Sequence, residues 1–327
     1  MTIQDFRTSP LPEEIIHALL AATYAYAEMD VLIKEYPQTQ SLLSNMLLAL
    51  DVYYQHYDAR PNIADICHAL FITDKTNVVG ESVTTFAECL AYARNKVVMT
   101  EVLTAGDILR INSSIRDLRT EPLSFDVASA DCEQIVESIW SILHDLYSPQ
   151  RQHPLLLEAA IACYCLLILP KSAPISLQTL AILFSNVYQS DVAFCGLLRQ
   201  WTLSTDPRIH ISSMETINAL VHILEIFQNM WAYGATLLRL LRHRKAEIIH
   251  LISGDFSQQI SAGVSQMLSE SLCIKRRDVS NRLQLSPKTV TKILKQLEQR
   301  NILHSVKSWR EMFYFNSLMI DTLKEQL

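Results

Sequence analysis

Apolar residues recur along most of this chain at spacings of three and four, the period of helices buried on one side. Ile15, Leu19, Ala22, Tyr26 and Met29 form one such stripe. Leu11-Pro12-Glu13-Glu14 opens it, since proline and acids suit a first turn, and Tyr36-Pro37 breaks it. Leu43, Leu47, Leu50 and Tyr54 predict a second helix over 41–57, and Arg60-Pro61-Asn62 starts a third through Ile66 and Leu70. Residues 75–82 read as a loop with Gly80 as its residue of positive φ. Thr85, with Glu88 three residues on, has the form of a capping box for the next helix. Gly106-Asp107 introduces another, and 116–130, interrupted by Pro122, reads as an irregular connection. Residues 131–147 are helical with Ile135, Ile139, Ile142 and Leu146 inward.

Between His153 and Ile175 the pattern changes. From Ala159 to Leu169 the chain is apolar on every face until Pro170, as befits a central helix within a core. The run is too short to span a bilayer, which needs about 20 apolar residues. Lys171, Ser172, Ala173 and Pro174 form a short loop before helical patterns at 177–188 and 192–201. After a polar break at Thr205-Asp206-Pro207 comes a long helix over 213–252, with Gly234 as its expected bend. Its Leu, Ile and Phe make it the expected interface of a homodimer.

The most specific pattern lies at 271–316. A short helix over 274–283, with Val279 and Leu283 inward, leads to the turn Leu285-Ser286-Pro287. Ser286 suits an N-cap and Pro287 a first helical position. A second helix over 288–300 buries Val290, Ile293, Leu294 and Leu297, and Asn301-Ile302-Leu303 stops it. Two β segments, 304–306 and 312–315, are joined by Lys307-Ser308-Trp309-Arg310. That order predicts a winged helix-turn-helix whose second helix is the recognition helix. Lys288, Thr289, Thr291, Lys292 and Lys295 lie off its apolar stripe, where phosphates and base edges would be met. Arg276 and Arg277 would flank the DNA backbone, with Lys307 and Arg310 as a basic wing. The same face would also serve a protein partner.

Charge separates this segment from the rest. Residues 271–327 hold 11 Lys and Arg against 5 Asp and Glu, and the remainder 17 against 29, within a net charge of -6. A basic module on an acidic body points to an anionic partner. The absence of a basic-then-apolar leader and an odd count of 7 cysteines suggest a reducing cytoplasm, and no segment is expected in a membrane. Only 6 glycines are present, which weighs against turn-dense β architectures. No glycine pair can cradle a phosphate, and Walker A, GxGxxG and GxSxG motifs are all missing. The 10 histidines make neither HExxH nor a Cys/His metal spacing, so no metal or cofactor is expected. His243, beside Arg242, Arg244 and Lys245, reads as part of a solvated face.

The order of elements resembles a Fic-domain protein carrying a C-terminal winged helix. Ala21-Ala22 and Tyr36-Pro37 resemble that family's N-terminal region, and Ser114-Ile115-Arg116 its short Arg-containing loop. Thr76-Asn77-Val78-Val79-Gly80-Glu81, followed by Thr84-Thr85, is similar to the inhibitory segment, a Ser or Thr, three residues, then Glu. Gly80 takes the place of that Glu, with Glu81 displaced by one. His153-Pro154-Leu155 to Pro170 resembles the helix leading into the catalytic motif, His-Pro-Phe-x-Asp/Glu-Gly-Asn-Gly-Arg. In that motif the His is base for an incoming hydroxyl, the Gly-Asn-Gly backbone holds ATP phosphates and the acid holds magnesium. Here Leu169 stands for the His, Pro170 keeps the Pro, and 171–177 offer no Gly, Asn, acid or Arg. The register at His153-Pro154 places Ala159, Ala160 and Ile161 where the phosphate loop should be.

The sequence thus predicts a mainly α protein: a Fic-like helical bundle around a buried central helix, then a winged helix-turn-helix. Its expected segments are 1–105, 106–254 and 255–327. The expected function is a non-catalytic cytoplasmic regulator that binds DNA or a protein. The alternative is an AMP transferase acting on protein hydroxyls through an unorthodox loop.

Overall fold

The computed structural model describes residues 10–55, 61–72, 78–100, 102–116, 130–148, 153–169, 175–188, 207–254 and 256–327. In chain order the helices begin with α1 (Glu13–Glu35), α2 (Gln40–Gln55), α3 (Ile63–Ala69), α4 (Val78–Thr100) and α5 (Ala105–Arg116). They continue as α6 (Ala130–Tyr147), α7 (Leu155–Leu167), α8 (Leu177–Val187), α9 (Pro207–Ser212), α10 (Thr216–Ile252) and α11 (Gln258–Glu270). The C-terminal order is β1 (Cys273–Lys275), α12 (Arg276–Leu283), α13 (Pro287–Gln299), β2 (Leu303–Ser308), β3 (Glu311–Asn316) and α14 (Ser317–Glu325). The protein is mainly α, with its small sheet confined to the C-terminal region.

Two compact units form, each from separated stretches: residues 1–29 with 81–233, and 30–80 with 234–327. In the first, α7 packs against α6 and α9, while α5 packs against α6 and α8. The all-round apolar pattern of α7 has the expected consequence, since Leu156 to Cys163, Leu166 and Leu167 are all buried. Phe184, Phe227 and Trp231 meet edge to face or tilted, with ring centroids 6.0 and 5.8 Å apart, and Tyr26 stands 5.0 Å from Trp231. Fully burying an aromatic such as Trp231 contributes roughly 1.5–3 kcal/mol. Asn112 ties α5 to the start of α8: its carbonyl accepts from the Ser176 backbone N–H at 2.8 Å and from the Thr179 hydroxyl at 3.1 Å.

In the second unit, the segment from α2 to α3 packs on the C-terminal module: α2 against α11, and α3 against α14. The sheet order is β1-β3-β2, antiparallel throughout, with Cys273 opposite Phe315 and His304 opposite Phe315 on the other side. Arg244 on α10 joins α14 through both oxygens of Glu325 at 2.8 Å and through the Thr322 hydroxyl at 3.0 Å. The basic run at 242–245 is therefore partly a structural latch and not only a solvated face.

Several local expectations change. Gly80 and Glu81 lie inside α4, and Gly80 is not among the positive-φ residues. Ser82, Val83, Phe86, Cys89 and Ala93 are buried on one face, so packing extends the helix back past the Thr85 capping pattern. Ser114 and Ile115 belong to α5, not a loop, with Ile115 buried. On α6 the inward residue is Leu143 in place of Ile142, because 139, 143 and 146 keep the helical period. Ile274 sits in β1 instead of a helix; three residues are too few to show alternation. On α10, Leu220, Phe227, Trp231 and Leu241 are buried, while Ile249 is 45% exposed. Among the described residues one helix, α1, is long and apolar enough to cross a bilayer by length and composition, where none was expected. Its Ile15, Ala18, Leu19, Ala22, Ala25 and Met29 are buried in the protein.

Candidate nucleic-acid interface

The C-terminal module places a helix, a turn, a second helix and a β-hairpin in sequence. Gln284 ends α12 in the left-handed conformation, φ 53°, and so reverses the chain within three residues. Ser286 then caps α13 by accepting from the Thr289 backbone N–H at 3.2 Å, with Pro287 in the first turn. Val290, Ile293, Leu294 and Leu297 are buried, as the pattern predicts. The stripe fixes the opposite face by geometry: Lys288, Lys292, Lys295 and Gln299, three and four residues apart, point outward.

The cations of this module fall into two groups. Lys275 is paired with Glu311 at 2.7 Å, Arg282 with Glu270, and Lys324 with Asp321 at 2.8 Å. Lys275 holds the Glu311 carboxyl below the usual range, with Arg277 adding to the effect. Lys288, Lys292, Lys295, Lys307 and Arg310 are exposed, and among the described residues no carboxylate pairs with them. Five uncompensated charges on the outer face of α13 and the end of the hairpin leave a field for a polyanion. Arg276 and Arg277 stand exposed in the first turn of α12.

The two threonines are less free than their positions suggest. Thr289 shares a 2.9 Å hydrogen bond with the Ser286 hydroxyl, and Thr291 donates to the Pro287 carbonyl at 2.8 Å. Ser286 and Thr289 are thus occupied in capping, and whichever hydroxyl accepts in their shared bond keeps its own proton for a ligand. The hairpin tip adds a residue the sequence reading used only as a linker. Trp309 is 95% exposed and held at φ 54°, a conformation that crowds any side chain but glycine. Phe71, Ile72, Lys275, Trp309, Arg310 and Phe313 line an open cleft of about 590 Å³ beside it.

The Fic-like positions give no second site among the described residues. Pro170, Lys171, Ser172, Ala173, Pro174 and Thr76 lie outside them, and Leu169 follows the end of α7. His153 is part of the entry to α7, and among the described residues its buried Nε2 has no hydrogen-bond partner. Among the described residues no group of three or more His, Cys, Asp or Glu could hold a metal. Comparison with protein-family models and with curated proteins finds no match to this chain.

Proposed function

We propose that this chain is a cytoplasmic regulator that binds duplex DNA through residues 271–316 as a winged helix-turn-helix. The recognition helix α13 would present Lys288, Lys292 and Lys295 to phosphates and base edges in a major groove, where long cations reach both. Lys307, Trp309 and Arg310 would touch the flanking backbone from the wing. The observation that carries this reading is the sorting of cations. Lys275, Arg282 and Lys324 are matched by carboxylates, while among the described residues Lys288, Lys292 and Lys295 on α13, Lys307 and Arg310 at the hairpin, and Arg276 and Arg277 on α12 are not. The remaining helices would serve as the sensing or docking body.

A gel-shift series on duplex fragments, with the wild-type chain and a Lys292→Gln, Lys295→Gln variant, tests the proposal. Retarded complexes that weaken in the variant are expected. Equal behaviour of the two proteins on every fragment would leave a protein-docking role for this face.

A further inference from the structure

The second unit contains a contact that DNA binding does not use. We propose that His68 and His304 form an acid-released clasp holding α3 against the hairpin-bearing sheet. Their Nε2 atoms stand 2.8 Å apart, although the residues are 236 positions apart in sequence. At that distance one ring must donate its N–H and the other must offer a lone pair. The contact therefore requires at least one neutral imidazole, and it is lost when both rings carry a proton and both nitrogens are donors.

The surroundings keep the pair neutral near pH 7. Both rings lie against Phe315, with centroids 4.4 Å away for His68 and 5.5 Å for His304. On α3, Asp65 favours charge on His68, while the neighbouring Cys67 thiol is buried and pushed up to about 12, so it stays neutral. On α14, Asp321 favours charge on His304 and Lys324 opposes it. Ser317 Oγ lies 3.3 Å from His304 Nδ1, a long contact that either group can serve as donor. Burial and then the His304 ring lower the pKa of His68; burial and then Lys324 lower that of His304. With folded values below the ordinary histidine value of about 6.5, the stabilisation is complete above that pH. It is lost as pH falls through the lowered folded values.

Release would act on the hairpin directly. His304 lies on β2, the strand that runs out to Lys307, and Phe71 and Ile72, just after α3, line the cleft beside the hairpin tip. The clasp does not depend on what the hairpin binds.

Hydrogen exchange on the full chain at pH 7.5 and in steps down to pH 4.5, where both rings can take up a proton, corrected for intrinsic rates, reads the opening of α3. Protection over 63–69 should fall by roughly 2- to 12-fold in the wild type, the range set by one lost hydrogen bond. His68→Gln and His304→Gln keep an amide able to donate or accept but remove the titration, so each should abolish that pH response. No fall in the wild type, or an equal fall in both variants, would overturn the clasp. Titration of the wild-type ring protons by NMR provides a reading that needs no variant to fold. Coupled uptake, with the second proton resisted, is expected, whereas two independent titrations near the ordinary value would overturn the proposal.

Discussion

Asn316 is the polar residue on which the C-terminal module should depend most. Its side chain is 0% exposed, its Nδ2 donates to the Leu268 carbonyl at 2.9 Å, and its Oδ1 accepts from the Met319 backbone N–H at 3.3 Å. The first bond satisfies a carbonyl in the last turn of α11, which has no partner within that helix. The second caps α14. Asn316→Ala removes both. Losing the cap costs about 1 kcal/mol, and leaving the Leu268 carbonyl buried and unmade costs about 1–3 kcal/mol. The expected loss is therefore about 2–4 kcal/mol. Asn316→Asp keeps the cap acceptor but sets a carboxylate against the Leu268 carbonyl, so it should not rescue stability at neutral pH. Equilibrium urea unfolding by circular dichroism measures the loss, with hydrogen exchange over 268–320 assigning the transition to this module. A loss for Asn316→Ala below about 0.5 kcal/mol, the scale of ordinary surface changes, would refute the argument.

Three further outcomes follow from other residues. Trp309→Gly should raise stability by about 0.5–1 kcal/mol, because glycine accepts the left-handed turn without strain, while weakening duplex binding; a lower thermal midpoint would contradict it. Burial pushes the Cys67 and Cys273 thiols up to about 12, and Cys163 higher still, so a thiol reagent at pH 8 should label none of them quickly before denaturation. Calorimetry with Mg-ATP should show no binding at sub-millimolar concentration, since 170–175 supplies no glycine nest, metal carboxylate or basic phosphate clamp; a micromolar signal would revive the transferase reading.

The sequence was most informative where one helix buries one stripe. The four inward residues of α13, the Ser286 cap and the outward lysines all follow from the 3.6-residue period and a single N-terminal signal. Pattern was less informative where local signals competed with packing. At Gly80 a glycine and a later capping box suggested a loop, but burial of Val83 and Phe86 carries the helix across it. The short strand β1 left no alternation to read, and its place is set by pairing with β3 some 40 residues on. Association of 30–80 with the C-terminal module was invisible for a related reason. The contacts that make it, His68 with His304 and Phe71 with Phe315, join residues that no periodicity connects. Exposure of Trp309 could have been suspected from its place between Ser308 and Arg310 in a two-residue turn, where no core lies within reach.

The central claim is that the outer face of α13 meets phosphates. Fluorescence anisotropy of a labelled duplex, titrated with the wild-type chain across a series of salt concentrations, measures this directly through counterion release. Each phosphate contact contributes about 0.9 to the slope of log affinity against log salt. Lys292→Gln with Lys295→Gln should therefore lower affinity and reduce that slope by about 1–2 units, with the fold intact because both side chains are exposed. Wild-type and variant slopes that coincide, or no duplex binding by the wild-type chain at low salt, would contradict the account.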